Sequence, residues 1–313
     1  MKTKILVTGA FGQIGTELVP ALQEKYGKDN VVALAHRRLP ENFNGILETC
    51  CVKEKEGLEK IIKKHQIQTI FHMASLLSAT AEKDPESAWQ VNLGSLKHIL
   101  DLAVENKIQV FWPSSIAAFG PTTPRENTPQ RAVLEPTTIY GVTKVAGELL
   151  CQYYFFKYGL DVRSLRYPGL ISWKAEPGGG TTDYAVAIFY EAIKTGQYQC
   201  FVQEETVLPM MYMDDAIRAT LKIMEAPGEQ IKIRTSYNLA AISFSAKELE
   251  NEIKKHLSLN VIYLSDHRQQ IADSWPKTID DSCARKDWGW SHEYGLAKMT
   301  EEMIQKLKIK LGK

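Results

Sequence analysis

The sequence predicts an α/β protein with a doubly wound parallel sheet, followed by a smaller C-terminal lobe. Three observations carry this. Short apolar runs alternate with longer amphipathic stretches through the first two-thirds of the chain, the pattern of strands covered on both faces by crossover helices. A glycine-rich turn, Gly9 to Gly15, lies between the first apolar run and the first amphipathic stretch. Past Pro168 the rhythm loosens, and 313 residues suffice for one large α/β domain or for two separate cores. The expected division is a large domain over 1–168 and a lobe over 169–313, with some chain returning to the large domain.

Taken in order, residues 5–7 read as a buried strand and 13–25 as a helix with Ile14, Leu18 and Leu22 spaced by four. A second apolar run covers 31–35. Leu58, Ile61, Ile62 and His65 predict a helix, and 70–73 a strand. A helix over 86–105 carries Val91, Leu96, Ile99, Leu100 and Ala103 on its inner side. Strands at 110–112 and 162–165 flank a helix at 140–157. Beyond a flexible Pro177-Gly178-Gly179-Gly180 stretch, helices are expected at 183–194, 214–224 and 246–256, and short strands at 236–239 and 261–264.

Composition excludes several classes. Hydrophobic residues at 44% and charged residues at 24% rule out wholesale disorder. Lys+Arg 38 against Asp+Glu 37 argues against a protein that grips nucleic acid or an acidic membrane. No apolar run approaches the roughly 18 residues needed to span a bilayer, and the start shows no signal-peptide pattern. The five cysteines include the adjacent Cys50 and Cys51 and no CxxC pair, as expected of free thiols in a reducing compartment. The histidines are scattered without HExxH, so no metal site is expected. The expectation is a cytoplasmic protein without nucleic-acid or membrane partners.

Gly9-Ala10-Phe11-Gly12-Gln13-Ile14-Gly15 has the spacing GxxGxxG. Glycines between a strand and a helix permit a tight turn and close approach to a pyrophosphate, and the helix N-terminus offers free N–H groups. A plain βα turn is the other reading; the placement after an N-terminal strand favours nucleotide binding. Gly9, Phe11, Gly12, Gln13, Ile14 and Gly15 are therefore candidates for a dinucleotide, joined by His36 and Arg37 after the second strand. That strand ends Ala35-His36-Arg37-Arg38, with no carboxylate for the adenosine ribose. The arginines either admit a 2′-phosphate or stay solvated, which leaves NAD and NADP both open.

Tyr140-Gly141-Val142-Thr143-Lys144 places a phenol and an ammonium one helical turn apart. Lowering a tyrosine from pKa about 10 by three units takes roughly 4 kcal/mol. An ammonium about 5 Å away at an effective dielectric of about 20 contributes roughly 3 kcal/mol, and a positive nicotinamide ring the remainder. Tyr140 could then become a general base; the other reading is a pair of surface neighbours, since this spacing is common by chance. Ser114 and Ser115 follow the strand at 110–112, at the end where such sheets bind ligands; the alternative is a polar turn satisfying its own backbone.

The glycine loop, Ser114-Ser115-Ile116-Ala117-Ala118-Phe119-Gly120 and Tyr140-Gly141-Val142-Thr143-Lys144, in this order, resemble the extended short-chain dehydrogenase/reductases. Asn92 and Arg166-Tyr167-Pro168-Gly169 match the same pattern. Stretches around Ser78, Trp112, Thr181, Asp214 and Trp275 are similar to the L-threonine 3-dehydrogenases of that family. The resemblance implies a Rossmann-type domain with a substrate lobe, working as a homodimer. It implies Tyr140 as base, Ser115 as its partner on the substrate hydroxyl, and Lys144 on the nicotinamide ribose, with Tyr167 near the cofactor. The implied reaction is oxidation of the β-hydroxyl of L-threonine to 2-amino-3-oxobutanoate with hydride transfer to NAD; NADP stays possible because Ala35 replaces the usual acidic residue. A nucleotide-sugar epimerase or dehydratase is the alternative, although no basic cluster for a diphosphate is visible. A non-enzymatic dinucleotide sensor is a third reading, opposed by the retained tyrosine and lysine.

For the amino-acid substrate, Thr181 and Thr182 at a helix start either seat a carboxylate or cap their own helix. Ser78 is a second substrate candidate. Tyr153-Tyr154-Phe155-Phe156 is expected to pack a helix, across a dimer or within the chain. Trp288-Gly289-Trp290 is expected to pack the lobe, and 306–313 to be a solvated helix end.

Overall fold

A computed structural model describes residues 3–36 and 42–313. Strand β1 (Ile5–Thr8) leads into helix α1 (Gly15–Tyr26), and β2 (Val31–Ala35) is followed by β3 (Ile46–Thr49). Helix α2 (Lys55–His65) returns to β4 (Thr69–His72). Helices α3 (Ser78–Lys83), α4 (Pro85–Trp89) and α5 (Ser95–Asn106) precede β5 (Gln109–Ser115), and α6 (Ile139–Tyr158) precedes β6 (Val162–Tyr167). The remainder comprises β7 (Gly169–Ile171), α7 (Tyr184–Lys194), β8 (Gln197–Cys200), β9 (Val207–Tyr212), α8 (Met213–Glu225), β10 (Tyr237–Asn238) and β11 (Ile242–Ser245). It closes with α9 (Ala246–Lys254), β12 (Asn260–Tyr263), α10 (Arg268–Asp273), α11 (Ser282–Trp288) and α12 (Leu296–Leu311).

Seven strands form one sheet in the order β10-β6-β5-β4-β1-β2-β3, and every pairing in it is parallel. This is the doubly wound Rossmann-type fold. Side chains alternate across the pleat. Ile5 and Val7 join Leu18, Leu22, Phe111 and Ile223 on one face, while Leu6 joins Leu58, Ile62, Leu96, Leu100 and Trp112 on the other. Both faces of β1 are thus buried, which is why its sequence is an unbroken apolar run. Strand order reverses between β1 and β4, which opens a crevice at the carboxyl ends of the strands.

After Gly169 the chain builds a three-stranded sheet, β11-β9-β7, and a two-stranded one, β12-β8. Their core includes Tyr184, Phe189, Leu208, Met210, Phe244, Leu249 and Met303. The same stretch also returns β10 to the edge of the large sheet.

Four features differ from the sequence expectation. The helix expected over 86–105 is interrupted by a wider π-helical turn, Gln90–Gly94, between α4 and α5; such turns cluster at functional sites. Strand β3 has only two apolar residues and a part-exposed edge, and β9 carries Pro209, so neither has a clean strand signature. Trp288 and Trp290 pack in the core of the large sheet, not in the lobe, with Trp288 edge-on to Tyr237 at 5.9 Å. The lysine-rich end is largely exposed, as expected, but also anchored: Lys310 Nζ donates to the Lys174 carbonyl at 2.9 Å and Lys313 Nζ to that of Ile193 at 3.0 Å.

Candidate active site

The glycine turn shapes the crevice first. Gly9 has φ +62°, and a side chain there would place Cβ 2.7 Å from the Ala74 nitrogen. A Cβ on Gly15 would lie 2.3 Å from the Gly9 carbonyl oxygen. The turn therefore stacks α1 directly on the β1 and β4 ends, with the Gly12 N–H donating to Gly9 O at 3.0 Å. Two hollows meet here and share Gly9, Gly12 and Ser75. One extends from the loop after β4 over the end of β5 and the start of α6 to the segment just before α7, with Gln13, Ile14 and Gly15 on its wall. The other runs along Phe11, Leu34, Ala35 and His36 to Cys51 and Lys53. A hollow on each side of a backbone cradle could hold a dinucleotide, its pyrophosphate at the α1 N-terminus. Arg37 and Arg38 lie outside the described residues.

Ser115, Tyr140, Lys144, Tyr167, Ser78 and Thr181 all line the first hollow. The two serines have different partners. Ser114 Oγ donates to Glu148 Oε1 at 2.6 Å, whereas Ser115 Oγ only accepts from the Ala117 N–H at 3.2 Å and adjoins the Tyr140 phenol. The Tyr167 hydroxyl is engaged with Thr220 on α8. Asn92, in the π-helical turn, accepts from the Leu76 N–H at 2.8 Å and donates to Thr143 Oγ1 at 3.3 Å, tying the β4 loop to α6.

Burial dominates the proton affinities of the pair. It pushes Tyr140 up to about 12, against a smaller opposing effect of Ser115, and Lys144 is not among the groups that lower it. Burial also pulls Lys144 down to about 7, opposed by the Glu148 carboxylate. Lys144 is 2% exposed, and its Nζ donates to the Pro113 carbonyl at 2.7 Å. It lies 4.7 Å from the Trp112 ring and 5.2 Å from the Tyr140 ring. The ammonium meets the tyrosine at its ring, while both groups lose their hydration, so desolvation wins. Beside them, buried His72 bonds Thr8 Oγ1 and Ser95 Oγ, each at 2.8 Å, and burial lowers it to about 3.

At the lobe side, Thr181 Oγ1 is buried without a hydrogen-bond partner among the described residues. Neither threonine side chain caps α7. Asp183 turns its carboxylate back onto the Gly179 and Gly180 N–H groups at 2.7 and 2.8 Å, and burial raises its pKa. This corrects the expectation of a carboxylate seat at the α7 start: an acid already stands there, on the cleft wall.

The sequence profile of the NAD dependent epimerase/dehydratase family matches residues 5–240. The chain belongs to this family. It is 50% identical to an uncharacterized epimerase/dehydratase of Staphylococcus haemolyticus over 98% of both chains. It is 47% identical to the mitochondrial L-threonine 3-dehydrogenase of Bos taurus, over 96% of this chain and 82% of that one. A monomeric L-threonine 3-dehydrogenase of metagenomic origin, in its apo form, superposes with a TM-score of 0.96 at 52% identity, covering 99% of this chain and 100% of the other. The resemblance to the extended short-chain dehydrogenase/reductases, read from the glycine loop, the Ser114-Ser115 stretch and the Tyr-Lys pair, therefore stands, and with it a nicotinamide cofactor.

Sequence reasoning assigned no role to Met73, Asp183 or Trp275, which also line the first hollow. Trp275 arrives from the far end of the chain, its carbonyl accepting from Arg125 Nε at 3.1 Å; no local pattern announces such a contact. Among the described residues no cluster of three acidic, histidine or cysteine side chains could hold a metal ion. Among them, too, no helix is long and apolar enough to cross a membrane.

Proposed function

We propose that the protein oxidises the β-hydroxyl of L-threonine to 2-amino-3-oxobutanoate, with NAD as the hydride acceptor. The observation that carries this reading is one hollow lined both by Ser115, Tyr140 and Lys144 and by Thr181, whose buried hydroxyl has no partner among the described residues. Lys144 is the single cation among the described residues lining it, a poor match for the diphosphate of a nucleotide sugar.

In this reading Gly9, Gly12 and the α1 N-terminus would hold the pyrophosphate, and Phe11, Ala35 and His36 would flank the adenosine; Arg37, the further candidate, lies outside the described residues. Lys144 holds the nicotinamide ribose. A nicotinamide bound there would supply the acceptor for the β-carbon hydride, and its positive ring would favour the phenolate of Tyr140. Ser115 donates to the substrate hydroxyl, and Tyr140 takes its proton. Thr181, Ser78 and the Asp183 carboxylate meet the amino-acid end, which orients the β-carbon. NADP is admitted because Ala35 closes β2 without a carboxylate to repel a 2′-phosphate. Residues 1–168 serve the dinucleotide and 169–313 mainly the substrate. The exposed Leu149, Tyr153 and Phe156 of α6 form the face of a homodimer.

The test mixes purified protein with L-threonine and either NAD or NADP and follows nicotinamide reduction by absorbance. Reduction with NAD is expected; none with either dinucleotide, alongside measured dinucleotide binding, overturns the reading.

A further inference from the structure

A buried ion pair lies beneath the site. Tyr140, Lys144 and Glu148 follow one another at four-residue steps along α6, all on its buried face. Glu148 is 1% exposed and Arg166, on β6, 3%. Arg166 Nε donates to Glu148 Oε1 at 2.8 Å and Nη2 to Oε2 at 2.6 Å, a two-pronged contact. Ser114 Oγ is the third donor, at 2.6 Å. Arg166 Nη1 continues to Asn238 Oδ1 on β10 at 3.0 Å and to the Gln130 carbonyl at 3.1 Å.

Desolvating such a pair costs about as much as its attraction returns, so stability alone is a weak reason for it. Its location offers another. It joins the end of β5, which carries Ser115, to the helix that carries Tyr140 and Lys144. It joins both to β6, which runs straight into the cleft wall at Tyr167 and Gly169.

We propose that the Glu148–Arg166 pair is the positioning element of the site, locking Ser114 and hence Ser115 against α6 and holding a compensating negative charge one turn from Lys144. This rests on the reading of Ser115, Tyr140 and Lys144 as the reacting group. The titratable groups facing Lys144 are His72 from β4, and Tyr140, Glu148 and Cys151 from α6, with Arg166 of β6 behind Glu148. His72 is neutral near pH 7, and burial holds Tyr140 and Cys151 protonated. Glu148 is then the one anion beside the ammonium, among the described residues. Removing it leaves Arg166 as an unbalanced cation; removing Arg166 leaves Glu148 unbalanced instead. The two changes must push Lys144 in opposite directions.

Lysine-selective 13C NMR reads the titration of Lys144, its resonance assigned by its loss in Lys144→Met. L-Threonine oxidation is followed over the same pH range. Glu148→Gln is expected to lower the Lys144 midpoint by about one pH unit or more, and Arg166→Met to raise it by a similar amount. The alkaline limb of the activity profile should move with it. Ser114→Ala keeps both charges; the midpoint should stay, while kcat falls about tenfold with KM little changed. Midpoints that move in neither charge variant overturn the proposal even if turnover is lost, since that is the behaviour of a merely structural pair. Should the charge variants not fold, Ser114→Ala decides alone, and a wild-type kcat overturns the proposal. A wild-type protein that leaves L-threonine untouched defeats the proposed function, and the NMR midpoints then judge this proposal independently.

Discussion

Lys144 donates from Nζ to the carbonyl oxygen of Pro113 at 2.7 Å. That bond aims the ammonium at the end of β5, with the Tyr140 ring 5.2 Å away. A helix-spacing argument sees the two residues as neighbours; the direction of the lysine is set by the strand it meets.

A buried lysine pulled down to about 7 makes the native state lose its proton before the unfolded chain does. Between about 7 and the unfolded value near 10.5 the unfolded chain binds more protons, so this group makes stability rise with pH across that window. Tyr140, pushed up to about 12, opposes this only above about pH 10. Lys144→Met should therefore abolish turnover yet raise the melting temperature, more at pH 7 than at pH 10. Thermal melts at both pH values check it; an equal change at both would show that burial does not depress the lysine.

Tyr140→Phe removes the proton acceptor and keeps the ring that packs in the lobe core. Turnover of L-threonine should fall by a factor of about 10³ or more, with dinucleotide affinity changed little. Steady-state rates and a fluorescence titration with NAD separate the two effects, and a wild-type rate would refute the general-base role.

Thr181→Val removes a buried hydroxyl that has no partner among the described residues. Stability should hold or improve slightly, because an unsatisfied group is lost. The KM for L-threonine should rise about tenfold if that hydroxyl meets the substrate, at about 1.4 kcal/mol for the lost contact. A drop in melting temperature with unchanged KM would instead mark Thr181 as a structural residue.

Ala35→Asp introduces a carboxylate at the end of β2, beside the Ala35–His36 wall of the second hollow. The ratio of kcat/KM for NAD over NADP should increase about tenfold or more, by ribose binding and repulsion of a 2′-phosphate. An unchanged ratio would mean that the β2 end does not select the cofactor.

Local pattern made much of this protein readable. The apolar runs of β1, β2 and β4 are continuous because both sheet faces are covered, and the four-residue step from Tyr140 to Lys144 survives as one face of α6. The lobe was less legible. Strand β8 alternates exposed and buried residues over only four positions, β9 contains Pro209, and β7 is three residues long. Such segments become strands because partners from distant parts of the chain pair with them, and a window of sequence does not contain those partners.

The same division holds at the site. Residue identity and spacing marked the glycine cradle, the Ser114-Ser115 pair, Tyr140 and Lys144 as candidates, since turns and helix faces are properties of a few consecutive residues. Which serine stays free and where the ammonium points depend on Glu148, Pro113 and Trp112, and how far the phenol rises depends on its burial and on Ser115. Proton affinities follow from desolvation and from charges assembled across strands, and those exist once the chain has packed.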